Sequence, residues 1–279
     1  MKQILITGAE SYIGTSLEAH LQGQPYRITT LDVRDDGWCD ASFAGYDAVI
    51  HVAAIVHQKE QPEMEALYFR VNRDLALGVA RKAKAEGVGQ FIFMSSMSVY
   101  GVDTGIITPD TVPNPVSFYG KSKLAAEELL QKEADERFKV CVLRPPMVYG
   151  PGCKGNFQTV VKLVKKLPVF PRLRNHRSMI HIDNLCEFLK LCIDRCESGL
   201  CFPQNREYMQ TSQMARTIAG KLDKRVFFSR LAGLAVRMTI PFLSLTKKAF
   251  GTLIYLDTER HDYCYCIRSS TESVEDSVC

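Results

Sequence analysis

The chain has no run of about twenty uninterrupted apolar residues, so no membrane-spanning helix is expected. Its most apolar stretch, residues 231–256, is broken by Arg237, Pro241, Lys247 and Lys248. That stretch reads as a pair of helices packing a lobe, with docking on a membrane surface as the sharper alternative. No charged segment leads into a long apolar run at the amino terminus, so no signal peptide is expected and a cytoplasmic location is. No internal repeat or long linker interrupts the 279 residues, enough for one large α/β unit and a smaller lobe. The net charge of +4 is mild and gives no argument for a nucleic-acid partner. The ten cysteines form no zinc pattern: Cys264-x-Cys266, with His261 nearby, lacks a second pair at ligand spacing, so no metal is expected. Reduced thiols are the default, and buried ones behave as small apolar residues.

What is present starts with Tyr119-Gly-Lys-Ser-Lys123. A tyrosine and a lysine four residues apart share one helix face. An ammonium beside a phenol favours the phenolate, which predicts a Tyr119 pKa lowered towards neutrality. Such a tyrosine can take the proton of a sugar or alcohol hydroxyl while hydride leaves the carbon.

At the amino terminus, residues 2–7 read as a strand, Gly8-Ala-Glu-Ser11-Tyr12-Ile13-Gly14 as a tight turn, and the following residues as a helix. That order aims backbone N–H groups and the positive end of a helix at a pyrophosphate. Gly8 serves the turn and Gly14 the packing of helix on strand; Ser11 stands where a glycine is usual. The next apolar run, Tyr26–Leu31, ends at Asp32, placed to grip the adenosine ribose hydroxyls and to repel a 2′-phosphate. NAD is therefore favoured over NADP, with Arg34 two residues on weakening the preference. Asp47–Val52, Gln90–Ser95 and Val140–Arg144 read as further strands, and Glu63–Glu86 and Ser117–Arg137 as helices. The alternation points to a doubly wound, mostly parallel sheet. A loop at 150–155, a basic helix to about Leu167 and a break at Pro168-Val-Phe-Pro171 follow.

With these stand Asp40, His51-Val-Ala53-Ala54, Asn72, Ser95-Ser96-Met-Ser98-Val-Tyr-Gly101, Leu143-Arg-Pro-Pro-Met-Val-Tyr-Gly-Pro151 and Arg177-Ser-Met-Ile-His-Ile-Asp183. In order and spacing the set resembles the extended short-chain dehydrogenases/reductases of the NAD-dependent epimerase/dehydratase family, which act on nucleotide sugars. The resemblance implies an α/β fold: a doubly wound, mostly parallel Rossmann sheet with a smaller C-terminal substrate lobe. It implies an NAD-binding domain over 1–149, rejoined by a return segment at about 178–200. The lobe would be built from 150–177 and 201–260. Residues 261–279 match nothing in the family pattern and read as a frayed tail.

The resemblance also implies site residues. Tyr119, Lys123 and Ser96 take the catalytic positions, and Lys123 also binds the nicotinamide ribose. Gly8, Ser11, Tyr12, Ile13, Gly14, Asp32, Asp40 and Ala53 line the cofactor. Ser96, Ser98, Tyr119 and Arg177 meet the substrate, Arg177 through a phosphate of a UDP- or dTDP-linked sugar. A homodimer is compatible with it. Asn72, in the long helix, supports the site or its water. Each position has a plainer alternative: Ser96 and Ser98 as turn caps, Arg177 as part of a basic patch with Arg172 and Arg174, Asn72 as a helix-face polar residue. His51, His57 and His181 read as structural histidines. Met147 departs from the asparagine common in the family, which leaves the substrate open. Dehydratases carry an acidic pair where this chain has Met97 and Ser98, so dehydration is disfavoured. A 4-epimerase is expected first, a 4-keto-sugar reductase second, and a non-catalytic NAD(P) sensor third.

Overall fold

The structure is a computed structural model and describes residues 1–56, 60–256 and 263–278. In chain order its elements begin with β1 (Lys2–Thr7), α1 (Tyr12–Leu21), β2 (Tyr26–Leu31), β3 (Ala48–His51), α2 (Glu65–Phe69), α3 (Leu75–Ala85), β4 (Gln90–Met94), β5 (Gly105–Ile107), α4 (Phe118–Glu133) and β6 (Lys139–Leu143). They continue with β7 (Met147–Tyr149), α5 (Asn156–Lys166), β8 (Val169–Pro171), β9 (Met179–His181), α6 (Ile182–Arg195), β10 (Gly199–Cys201) and α7 (Thr211–Lys221). The last are β11 (Phe227–Ser229), α8 (Arg230–Thr239), α9 (Ser244–Phe250), β12 (Leu253–Tyr255) and α10 (Ser270–Asp276). None of the described helices is long and apolar enough to cross a membrane.

The first compact unit comprises residues 1–101, 113–145 and 186–203. Its sheet has the order β10-β6-β4-β3-β1-β2, and every pairing is parallel. Strands of such a sheet are covered on both faces. The runs Ile4–Ile6, Ala48–Ile50, Phe91–Met94 and Val140–Leu143 are accordingly buried throughout. Phe91, Phe93 and Phe138 pack with Val79, Ala83 and Leu130 from the flanking helices. Strand order reverses between β1 and β3, which makes the carboxyl ends of these two strands the crevice where ligands bind in open α/β sheets.

The second unit comprises 102–112, 146–185 and 204–279. It holds three two-stranded parallel ladders, β5–β12, β7–β9 and β8–β11. Several boundaries differ from the sequence reading. Residues 102–112, 146–149 and 261–279 join this unit and 201–203 the first. Residues 178–185 also join this unit, because β9 pairs with β7 rather than with the central sheet. The return to that sheet is made later, by β10 on β6, after α6 has supplied the crossover a parallel strand requires.

The helix expected over 63–86 is interrupted. A 3₁₀ turn at Pro62–Met64 opens it, and a π turn at Arg70–Asp74 separates α2 from α3. The tail is not frayed. Ser269 and Glu272 form a capping box on α10, and Tyr265 and Val274 are each 1 % exposed. Ser273 Oγ lies 2.6 Å from the Tyr149 hydroxyl, and the Tyr265 hydroxyl donates to the Gln204 carbonyl at 2.8 Å. His261 and Cys279 lie outside the described residues.

Candidate functional site

Four strand ends of the first unit contribute to one edge of the sheet. Gly8, directly after β1, has φ +106°, and a Cβ there would stand 2.8 Å from the Ala53 amide nitrogen just beyond β3. Only glycine tolerates both the dihedral and the approach. Glu10 in the same turn also sits in the left-handed region, at φ 65°. Ser11 caps α1: its Oγ accepts from the Gly14 amide at 3.1 Å. The hydroxyl oxygen is thus used within the turn, and its proton stays available to donate outward. A Cβ on Gly14 would fall 2.6 Å from that oxygen and 3.2 Å from the Gly8 carbonyl. Tyr12 and Ile13 form the first turn of α1, at the positive end of the helix.

Asp32 closes β2. Its carboxylate accepts from the Arg34 amide at 2.9 Å and from the Arg34 guanidinium at 2.8 Å and 2.5 Å. Those bonds hold the carboxyl below the usual carboxylate range. Arg34 also lies 3.5 Å from Glu10, so one cation stands between two acids at the rim. Asp40 is exposed at the end of a 3₁₀ turn, Asp36–Cys39, whose amino end Asp35 caps.

The carboxyl end of β4 meets the amino end of α4. Ser96 caps the 3₁₀ turn that follows β4: its Oγ accepts from the Ser98 amide at 3.1 Å and lies 3.1 Å from the Ser98 Oγ. Ser96 is near enough to the Tyr119 hydroxyl to favour its ionised form. Ser96 therefore caps its turn and also acts on the tyrosine, so the two readings of it are compatible.

Lys123 does not act on Tyr119 as the spacing predicts. It is 1 % exposed, its Nζ donates to the Met94 carbonyl at 2.7 Å, and it sits 4.5 Å from the centre of the Phe93 ring. Burial brings its pKa down to about 7, with the Glu127 carboxylate opposing. Burial likewise pushes the Tyr119 phenol up to about 12, and the nearby Ser96 hydroxyl pulls back against it. The expected lowering towards neutrality is reversed because the ammonium is spent on a backbone carbonyl and the ring is desolvated.

Glu60 supports the site without having carried a sequence signal. Glu60 accepts from the Phe118 and Tyr119 amides, each at 3.0 Å, and so caps the helix that bears the tyrosine. Asn72, fully buried in the π turn, accepts from the Ile55 amide at 2.8 Å and donates to the Ser122 hydroxyl at 3.0 Å. It ties the segment after β3 to α4 and is not a helix-face residue. Glu127 was legible in principle, since Tyr119, Lys123 and Glu127 follow each other at four-residue spacing. Its carboxylate binds Arg144 through Nε at 3.1 Å and Nη2 at 2.5 Å, and accepts from Ser95. Arg144 also donates to the Tyr100 hydroxyl at 2.8 Å.

His51 is a core residue. It is fully buried, stacks near Phe91 and Phe93, and has Nδ1 2.8 Å from the Thr7 hydroxyl. Burial, and then the charge of Lys123, lower its pKa to about 3. An unfolded chain takes up this proton below its ordinary pKa of 6.5, whereas the folded chain resists until about 3. Stability from this residue is therefore present above 6.5 and is lost progressively as pH falls to about 3. In His51→Asn the urea midpoint should depend less steeply on pH across that window than in the unaltered chain. His181 is buried too, its Nδ1 accepting from the Asp183 amide at 3.3 Å. His57 lies outside the described residues.

Arg177 belongs to the second unit. Its Nη1 donates to the Gly251 carbonyl at 2.8 Å, and its backbone bridges to Met209. It is half-buried, unlike the exposed Arg172 and Arg174. Met147 opens β7, half-buried.

The sequence model of the NAD dependent epimerase/dehydratase family matches residues 4–204. A UDP-glucose 4-epimerase of Vibrio cholerae is 33 % identical over 80 % of this chain and 76 % of its own length. The N-acetyl-alpha-D-glucosaminyl-diphospho-ditrans,octacis-undecaprenol 4-epimerase of Escherichia coli O157:H7 is 27 % identical over 70 % of this chain and 64 % of its own. Among solved structures, the UDP-glucuronic acid 4-epimerase from Bacillus cereus in complex with NAD superposes with a TM-score of 0.75 at 18 % identity, covering 99 % of this chain and 97 % of that one. From the strand-end geometry and the extent of these matches, the chain belongs to the NAD dependent epimerase/dehydratase family.

Proposed function

We propose that the chain is an NAD-dependent 4-epimerase of a UDP- or dTDP-linked sugar. The observation that carries this reading is Ser96 set beside the Tyr119 hydroxyl, with Lys123 one turn away and no acid at Met97 or Ser98. The residues present fit a dinucleotide. Gly8 and Gly14 keep open a cradle that any Cβ would fill, Ser11 has a proton to donate into it, and Asp32 is held ionised at the end of β2. Tyr12, Ile13, Asp40 and Ala53 would line the remainder.

When bound, NAD supplies the hydride acceptor and donor for C4 of the sugar. Tyr119 takes the proton of the C4 hydroxyl as that carbon becomes a ketone, and Ser96 donates a hydrogen bond to the same oxygen. The keto-sugar turns over, and Tyr119 returns its proton as C4 is reduced on the other face. No proton or electron is left over. As the structure stands, the phenol is loaded with its proton, the state needed for the second half. Lys123, one turn away and held on the Met94 carbonyl, would bind the nicotinamide ribose. Ser98 extends the hydroxyl chain, and Arg177 would meet a substrate phosphate. Dehydration lacks its acid pair.

Purified protein incubated with a panel of UDP- and dTDP-sugars, with C4 configuration followed by NMR and the cofactor by absorbance, tests the reading. Interconversion without net NADH change is expected. Consumption of added NADH by a 4-keto-sugar without interconversion would replace epimerase with reductase. Silence in both assays would overturn the enzymatic reading.

A further inference from the structure

The mild net charge conceals an asymmetry. Residues 146–182 contain seven lysines and arginines and no acid, and residues 224–256 contain six and no acid. These thirteen cations exceed the whole chain's net charge of +4, so the remainder is net acidic. The two acid-free stretches pack on each other within the second unit. β8 from one pairs with β11 from the other, and α8 follows β11 directly.

α8 is seated tightly by one face. Gly233 is its buried residue, and a Cβ there would come within 2.2 Å of the Arg172 carbonyl. The opposite face bears Leu231, Leu234 and Met238 at i, i+3 and i+7, so the three form one stripe. They are 81 %, 58 % and 65 % exposed, and Phe242 in the turn beyond is 84 % exposed. Arg230 and Arg237, also seven residues apart and both exposed, run along one border of the stripe. A helix end that merely frayed would not combine a close glycine contact on one side with an ordered apolar stripe on the other.

We infer that α8 and the turn at Phe242 lay this chain on an anionic phospholipid bilayer. The apolar stripe would enter the boundary between headgroups and acyl chains, while Arg230, Arg237, Lys247 and Lys248 meet lipid phosphates. A nucleic acid would use the cations and leave the leucine, methionine and phenylalanine side chains in water, and an acid-rich protein groove would not explain cations spread over both stretches. The sequence alone offered two packing helices here, and the structure packs only one side of the first.

The full-length protein is mixed with phosphatidylcholine vesicles, with or without one quarter phosphatidylglycerol, and pelleted. Binding is expected to the anionic vesicles and not to the neutral ones, and to weaken as salt rises. The double variant Leu231→Ser/Phe242→Ser removes exposed side chains only and should keep its thermal midpoint. Its affinity for the anionic vesicles should fall about tenfold or more. Equal binding to both vesicle types, no binding to either, or binding that the double variant leaves unchanged would each overturn the inference. The last outcome would mark the surface as a site for a soluble polyanion.

Discussion

Tyr119→Phe is expected to lower turnover by about a thousandfold while binding of NAD is kept, because one oxygen is removed from the acid/base that stands beside Ser96. The ring remains to fill its place in α4, and neither the glycine turn nor Asp32 is disturbed. The loss should fall on kcat, since a proton-transfer contact matters in the transition state more than in the bound sugar. Two measurements check it: the C4 interconversion rate by NMR, and NAD affinity by titration calorimetry on the same preparation. Turnover within a few-fold of the unaltered chain would remove Tyr119 from the chemistry, whatever the cofactor affinity. Loss of both together would indicate damage to the fold instead.

Arg144→Met should cost about 3–5 kcal/mol of stability, among the larger losses any single substitution in the described residues can produce. Glu127 is 2 % exposed and Arg144 6 %. Their pairing is bidentate, and Tyr100 and Ser95 complete it. Methionine fills much of the volume but leaves a buried carboxylate facing an apolar side chain. The carboxylate must then take up a proton or draw in water. Replacing both members, Glu127→Leu with Arg144→Met, should recover most of the loss, because the cost lies in the orphaned charge rather than in the absent pair. Urea denaturation of the single and double variants separates these cases. A single variant within about 1 kcal/mol of the unaltered chain would contradict the argument.

The parts of the site that came through in the sequence are those where backbone geometry dictates residue type. Gly8 and Gly14 are glycines because a Cβ has nowhere to go, and Asp32 stands out because the strand Tyr26–Leu31 ends in an acid. Tyr119 and Ser96 were placed by spacing along a helix and at a strand end, and the fold sets them near one another. Electrostatics were not legible in the same way. The pKa of Tyr119 moved opposite to expectation because the spacing of two residues says nothing of where an ammonium finds its acceptor, here the Met94 carbonyl. Glu60 escaped notice because its partners lie 58 and 59 residues away in the chain. The last segment looked like a tail because it is polar, yet Tyr265 and Ser273 reach partners that only the fold brings near.

The π turn at Arg70–Asp74 bears on how this stretch could have arisen. Tyr68, Asn72, Ala76 and Ala80 are buried at a strict four-residue step. On an α-helix each such step advances about 40° around the axis, so the last would point some 120° away from the first. The wider π turn winds back much of that advance and holds all four on one line. A π turn amounts to one residue inserted into an α-helix. Deleting a residue between 70 and 74 would restore regular winding and keep Tyr68 in phase with Ala80, because the inserted residue and the wider turn cancel. What the insertion holds is the place of Asn72 against the Ile55 amide and the Ser122 hydroxyl.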